Sequence, residues 1–371
     1  MLELADIFRE GGPAYRQDHG ARMLPSHLQA MRDIEACRTA ALGGHLRACD
    51  HCGVRQYAYH SCRNRHCPKC HGDQTRRWLE HTRSHLLPCP YFLATFTLPA
   101  ELRPVARSHQ RLVYGLLMRC AADALLKLTT DPDYLGARPG LLAVLHTWTR
   151  AMAYHPHVHF LVTAGGLSGD ESRWIPSKRP DFLVPGRALS IVFRAKLRDA
   201  LRSAGLADLV PPEVWRKDWV VHLQHAGSGE KVLDYLARYV FRIALVNSRL
   251  ERFDDGQVTF RFRDGRSGKT KHCTLEAAAF LARFLQHVLP QGFSKVRHYG
   301  LFSPSRKPLL GRARAELVAA PVTRHPQAHV AADASDITVD TVHADNRTRC
   351  PSCGVGVMHI IDTLPRSRPP P

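Results

Sequence analysis

The sequence has no run of about 18 apolar residues, so nothing in it reads as a membrane span. Its opening, MLELADIFRE, carries acids and has no apolar stretch of the kind that marks a secretory leader, so the expected compartment is the cytoplasm. Acids are scarce: 33 Asp and Glu stand against 52 Lys and Arg, a formal charge of +19. Lysine is scarce as well, at ten of the 52, which leaves 42 arginines. Two common catalytic signatures are missing. There is no HExxH, and Gly268-Lys-Thr270 is not a phosphate loop, because Arg263 stands where the first glycine belongs. No internal repeat is evident.

What is present is enough apolar material, 44% of 371 residues, for two or three domains with real cores. The arginine excess points to a polyanionic partner, because the planar guanidinium forks onto phosphate; the plainer reading is a coding bias that merely adds solubility. Of 11 cysteines, six lie between Cys37 and Cys70. In a chain expected in the cytoplasm, such clustering favours metal over disulfides.

Along the chain, 1–36 is amphipathic and helical in period, and 37–72 has little periodicity and needs a metal to fold. Residues 73–87 read as a helix ending before Pro88. Strands are expected at 91–98, 141–149, 157–163 and 219–223, with 150–156 as a turn. Helices are expected at 101–128, 187–204, 229–245 (with Ser228 as a candidate N-cap) and 275–288 (capped by Thr274). Segments 249–253 and 257–263 flank Asp254-Asp-Gly256, a hairpin signal. The order predicts an α+β fold with an antiparallel sheet of ferredoxin-like, split βαβ type, preceded by a small Cys-rich zinc-binding domain. After about 305 the chain reads as an Ala-, Arg- and Pro-rich linker or loosely packed tail.

Three constellations carry chemistry. Cys49-x2-Cys52 and Cys67-x2-Cys70, fourteen residues apart, present two thiolate pairs suited to one tetrahedral structural zinc. Cys37, His45, Cys62 and His66 have the right types for a second zinc, or are core thiols and surface imidazoles. Arg63, Arg65, Lys69, Arg76 and Arg77 make this stretch basic and suited to phosphate. Near the C-terminus, Cys350-Pro-Ser-Cys353 is half a zinc ribbon, to be completed by His343 and His359, by another part of the fold, or not at all. On the strand His155-Pro-His157-Val-His159-Phe160, alternation points His157 and His159 to one face, where they can share a cation. A third ligand is needed, with His155, Glu230, Asp234 and Asn247 as candidates. Tyr235 and Tyr239 stand at i and i+4 on an expected helix and share a face, as do Arg238 and Arg242. The tyrosines are either core residues or nucleophiles.

Taken together, these segments resemble a known family. HPHVHFLVTAGG (155–166) followed by a Tyr-x3-Tyr helix looks like a two-tyrosine HUH single-strand endonuclease. CRTAALGGH (37–45), SCRNRHCPKC (61–70), TLP (97–99), YLARYVFRIALVNSRL (235–250) and RHYG (297–300) narrow the resemblance to rolling-circle transposases of the insertion-sequence-ninety-one type. The resemblance implies His157 and His159 as ligands of a catalytic Mn²⁺ or Mg²⁺, Tyr235 and Tyr239 as nucleophiles, and single-stranded transposon ends and target DNA as partners. It implies nicking and joining through a 5′-phosphotyrosine, with Arg238 and Arg242 near the DNA and the protein nucleoid-associated when bound. The domain expectation is 1–88 for N-terminal helices and zinc-binding domain, 89–305 for the nuclease, and 306–371 for the tail. The competing readings are a plasmid rolling-circle initiator or mobilisation relaxase, and a non-catalytic zinc-dependent DNA-binding regulator.

Overall fold

The structure, a computed structural model, describes residues 2–70, 78, 80, 82, 86–228, 243–265, 267–319 and 349–367. Its helices are α1 (Leu4–His19), α2 (Pro25–Ala36), α3 (Arg103–Ser108), α4 (Gln110–Thr129), α5 (Gly186–Ser203), α6 (Ala277–Leu285) and α7 (Lys307–Ala319). The strands of the first half are β1 (Gly44–Cys49), β2 (Arg55–Tyr59), β3 (Pro90–Thr97), β4 (Gly140–Trp148), β5 (Tyr154–Thr163), β6 (Gly165–Leu167) and β7 (Trp174–Pro176). Those of the second half are β8 (Val221–Ser228), β9 (Leu250–Asp254), β10 (Gln257–Arg263), β11 (Thr270–Glu276), β12 (Val296–Gly300) and β13 (Met358–Leu364). Among the described residues no helix is long and apolar enough to cross a membrane.

The chain forms two compact units that alternate along the sequence. One takes Met1–Thr75, Ile243–Val288 and Ala334–Pro371; the other takes Arg76–Arg242 and Leu289–Asp333. The consecutive segments 1–88, 89–305 and 306–371 do not coincide with these units.

The second unit is built on a five-stranded antiparallel sheet in the order β12-β4-β5-β3-β8. Strand alternation gives the sheet two unlike faces. On one, Phe92, Ala94 and Phe96 of β3, Leu141, Ala143 and Leu145 of β4, and Val158, Phe160 and Val162 of β5 share a core with α4 and α5. Helix α5 supplies Leu189, Phe193, Leu197 and Leu201, a four-residue step that lines one side of a helix, and all four are 0% exposed. Phe193 meets Phe96 edge-on, with ring centroids 5.0 Å apart. On the other face, Tyr91, Leu93, Leu142, Val144 and Leu161 form a separate cluster closed by Ala313, with Leu309, Leu310 and Leu317 of α7 against it. The expected loose tail therefore begins with an ordered helix. The long helix expected over 101–128 is interrupted at His109, whose backbone (φ −122°, ψ 47°) is non-helical, between α3 and α4.

In the first unit, α1 packs its Ile7 and Phe8, both 0% exposed, toward α2 and α6. Phe8 meets Phe284 of α6 edge-on at 5.4 Å. Helix α6 in turn covers the sheet β11-β10-β9 through Phe280 and Phe260. Thr274, the expected cap of the helix at 275–288, lies instead in β11, paired with Thr259. A second small sheet runs β13-β1-β2. Among the described residues its buried cluster is Cys49, Cys350 and Met358, with Val54 and Cys353 beside them, a small apolar area for a sheet of three strands.

Candidate metal centres and active site

Three groups of ligating side chains converge among the described residues, each with its ligand atoms within 4.8 Å of one another: Cys37, Cys62, Cys67 and Cys70; Cys49, Cys52, Cys350 and Cys353; and His146, His157 and His159. The expected single quartet of Cys49, Cys52, Cys67 and Cys70 is not among them. The two knuckles are split between two sites, and each finds a different partner pair. Spacing along the chain cannot reveal this, because the ligands come together through sheet pairing and loop return. His45 and His66 join neither site. His45 meets the His60 ring edge-on at 4.9 Å, and the His66 main-chain N–H donates to Asn64 Oδ1 at 2.9 Å.

In the first quartet Cys37–Cys70 and Cys62–Cys70 sulfur distances are 3.5 and 3.6 Å. A tetrahedral site with zinc–sulfur bonds of about 2.3 Å has sulfur–sulfur edges of about 3.8 Å, whereas a disulfide needs about 2.05 Å. Donation from neighbouring thiols, Cys62 first, pulls Cys37 down to about 7. Cys37 likewise pulls Cys70 down. Cys62 and Cys67 are pushed up by the same neighbour. Once one sulfur is a thiolate, the next must ionise beside it, and a divalent cation relieves that repulsion.

The histidine group lies at the centre of the five-stranded sheet. His157 and His159 are on β5, the middle strand, and share a face as alternation requires. The third member is His146 of β4, directly opposite His157 in the register. Of the four expected candidates for the third ligand, the two that are described, His155 and Asn247, do not belong to this group. Glu230 and Asp234 lie outside the described residues, Asn247 Oδ1 accepts from the Leu4 main-chain N–H at 3.1 Å, and His155 Nδ1 lies 2.8 Å from Arg103 Nη2. His146 is missable from sequence because the turn length, and so the register, is not legible there. Its signal is the alternation Leu142-Val144-His146-Trp148.

Neighbouring groups orient these rings. His157 Nδ1 lies 2.7 Å from the His155 carbonyl, so it donates there and ligation falls to Nε2. His159 Nδ1 is held by Thr95 Oγ1 at 2.9 Å, from the adjacent strand β3. His146 is 3% exposed and stacks on Trp148, with centroids 4.8 Å apart and planes at 22°. Lys295 Nζ lies over the Trp148 ring at 5.5 Å. Burial lowers the His157 pKa to about 4, with the hydrogen bond to the His155 carbonyl acting in the opposite direction. The ring is therefore neutral at physiological pH, the form that binds a cation. Among the described residues the group is three imidazoles without a carboxylate, a donor set that suits Mn²⁺ better than Mg²⁺.

Of the expected nucleic-acid contacts, Arg63 is exposed and Arg65 half-buried. Burial lowers the pKa of Arg65. Lys69 is committed: its ammonium pairs with Glu3 at 2.5 Å and lies 3.5 Å from the Cys37 carbonyl. Arg76, Arg77, Arg238, Arg242, Tyr235, Tyr239 and His343 lie outside the described residues.

Comparison with known proteins bears on what these centres serve. A family model described as "Putative transposase" matches residues 140–308, which span His146, His157 and His159. A model described as "Transposase zinc-binding domain" matches residues 7–98, which include the first quartet. The "Putative transposase y4qJ" of Sinorhizobium fredii (strain NBRC 101917 / NGR234) is 39% identical over 100% of this chain and 97% of its own length. The "Transposase for insertion sequence element IS801" of Pseudomonas savastanoi pv. phaseolicola is 31% identical over 74% of this chain and 71% of its own length. No solved structure matches. With a conserved-length relative on one side and both domain models on the other, the chain belongs to the IS91-type transposases that carry an N-terminal zinc-binding domain.

Proposed function

We propose that this chain nicks and joins single-stranded DNA at transposon ends by a metal-dependent tyrosine mechanism of the HUH class, in rolling-circle-type transposition. The observation that carries this reading is the cluster of three oriented imidazoles on the central strands of an antiparallel sheet. The strand order supports it: β3, β4, β5 and β8 with helices α4 and α5 between them follow the β-α-β-β-α-β path of a ferredoxin-like domain, with β12 added at the β4 edge.

His146, His157 and His159 would hold the catalytic divalent cation. When bound there it would polarise the scissile phosphate and offset the charge that develops on its oxygens. Tyr235 or Tyr239 attacks the phosphorus, so that a Tyr Oη–P bond forms as the P–O3′ bond breaks. The 5′ phosphate stays on the protein and a 3′-OH is released. A tyrosine with an ordinary pKa of about 10 is roughly 0.1% ionised at pH 7, so the hydroxyl must lose its proton as it attacks. The second tyrosine repeats the step at another strand, and attack by a 3′-OH on the phosphotyrosine rejoins the DNA. The bond energy is kept throughout, which agrees with the lack of a phosphate loop. Cys37, Cys62, Cys67 and Cys70 would hold a structural zinc, leaving no open position for chemistry. The module around it would position the element's end, with the exposed Arg63 able to meet a phosphate at the surface.

The test incubates the protein with Mn²⁺ and a single-stranded oligonucleotide of the element's own end, resolved on a denaturing gel. A slow protein–DNA band, lost in Tyr235→Phe/Tyr239→Phe, is expected. Nicking that persists in that double variant would overturn the mechanism.

A further inference from the structure

We propose that a second structural zinc ion, held by Cys49, Cys52, Cys350 and Cys353, clasps the C-terminal strand onto the N-terminal module. The last two ligands lie beyond both matched family segments, 7–98 and 140–308.

The four sulfurs meet as a zinc site requires. Cys49 and Cys353 are 3.8 Å apart and Cys52 and Cys350 are 3.6 Å apart, close to the edge of about 3.8 Å of a zinc–thiolate tetrahedron. Each contact joins one knuckle to the other, across as many as 304 residues of sequence. The knuckles are built alike. Both read Cys-x-x-Cys-Gly, and in both the glycine turns the chain back in a left-handed conformation, Gly53 at φ +69° and Gly354 at φ +67°. In both, main-chain N–H groups aim at sulfur: His51 and Cys52 donate to Cys49 Sγ at 3.4 Å, and Gly356 donates to Cys353 Sγ at 3.4 Å. Such donors stabilise thiolates. Gly356 also allows the close approach, since a Cβ there would fall 2.4 Å from Cys49 Sγ.

The surroundings give the site its purpose. β13 pairs with β1 from Gly44–Leu364 to Cys49–Met358. The Val357 N–H donates to Asp50 Oδ1 at 2.8 Å, and His359 Nε2 lies 3.2 Å from Asp50 Oδ2. Without β13, β1 and β2 are a two-stranded ribbon, which is marginal in water. Among the described residues the apolar cluster at the site is small: Cys49, Cys350 and Met358, with Val54 and Cys353 beside them. Ligation from both ends of the chain secures β13 and turns the ribbon into a three-stranded sheet. This proposal is independent of the nicking chemistry.

The experiment counts zinc on the full-length protein by native mass spectrometry. Two ions per chain are expected in the unmodified protein and one in Cys350→Ser/Cys353→Ser. Cys52→Ser is expected to lose the same single ion as Cys353→Ser, and combining the two to lose no more. Cys353→His, which keeps a zinc ligand at that position, is expected to retain both. Alkylation of the unmodified protein with iodoacetamide supplies the check that needs no variant: Cys350 and Cys353 should react only after a chelator is added. A single zinc in the unmodified protein, an unchanged count in the Cys350→Ser/Cys353→Ser protein, or equal alkylation with and without chelator would each overturn the proposal.

Discussion

His157 enters its cluster as a neutral ring, and this has a measurable sign. An unfolded histidine takes up a proton near pH 6.5, but the folded protein refuses it until about pH 4. Between those values the unfolded state binds more protons, so the metal-free protein should lose stability as pH falls from 6.5 to 4, by roughly 3 kcal/mol, and level off below. Chemical denaturation across that range checks it, and a flat profile, or a slope that persists unchanged in His157→Ala, would contradict it. The ring's partner on β3 makes a second prediction. Thr95 Oγ1 orients His159 through Nδ1, so Thr95→Val should weaken Mn²⁺ binding by about 10- to 100-fold while Thr95→Ser should not. Titration calorimetry distinguishes the two. His146→Ala removes a ligand rather than its support and should abolish measurable Mn²⁺ binding at the cluster. If calorimetry instead gave it the affinity of the unmodified protein, His146 would be no ligand.

At the level of elements, the two faces of the sheet carry different loads. The face of β5 that carries Val158 and Phe160 packs on α4 and α5, and the other carries the histidines beside the Leu161 cluster that meets α7. Phe193→Ala in α5 leaves a cavity against Phe96 and Trp219. It should cost about 3–5 kcal/mol of stability with little change in Mn²⁺ affinity at low temperature. A large loss of affinity in protein that is still folded would show that the faces are coupled. The order of the described strands and helices from β3 to β8, the hairpin around Asp254-Asp-Gly256 and the shared face of His157 and His159 were legible because period-2 alternation and turn residues are local signals, whereas the expected helix at 229–245 lies largely outside the described residues. The extra strand β11, the break at His109 and the ordered start of the expected tail were not. Each depends on which neighbouring surface is available to cover an apolar stripe, and no local pattern records that.

For the whole molecule, the alternation of its two units along the chain decides what can be removed. Segment 243–288 belongs with α1 and α2, where Phe284 meets Phe8. A fragment of residues 89–305 carries Phe280, Leu281 and Phe284, all at most 2% exposed in the intact chain, without the helix that covers them. It should bind hydrophobic dyes and associate in solution, and a fragment that stays monomeric by size-exclusion chromatography would refute this.

By itself the sequence determined the chemistry available. It held the cysteine knuckles, the alternating His157 and His159, the arginine excess and the segments that resemble IS91-type transposases, because residue type and short spacing are written along the chain. Tertiary structure alone decided which ligands meet. Cys49 and Cys52 join Cys350 and Cys353 rather than Cys67 and Cys70, because β1 takes β13 as a partner. His146 joins His157 because of the register of one hairpin. Both are choices among long-range pairings. Their free energies depend on the burial and hydrogen bonding of whole strands, and so are not encoded at any one position.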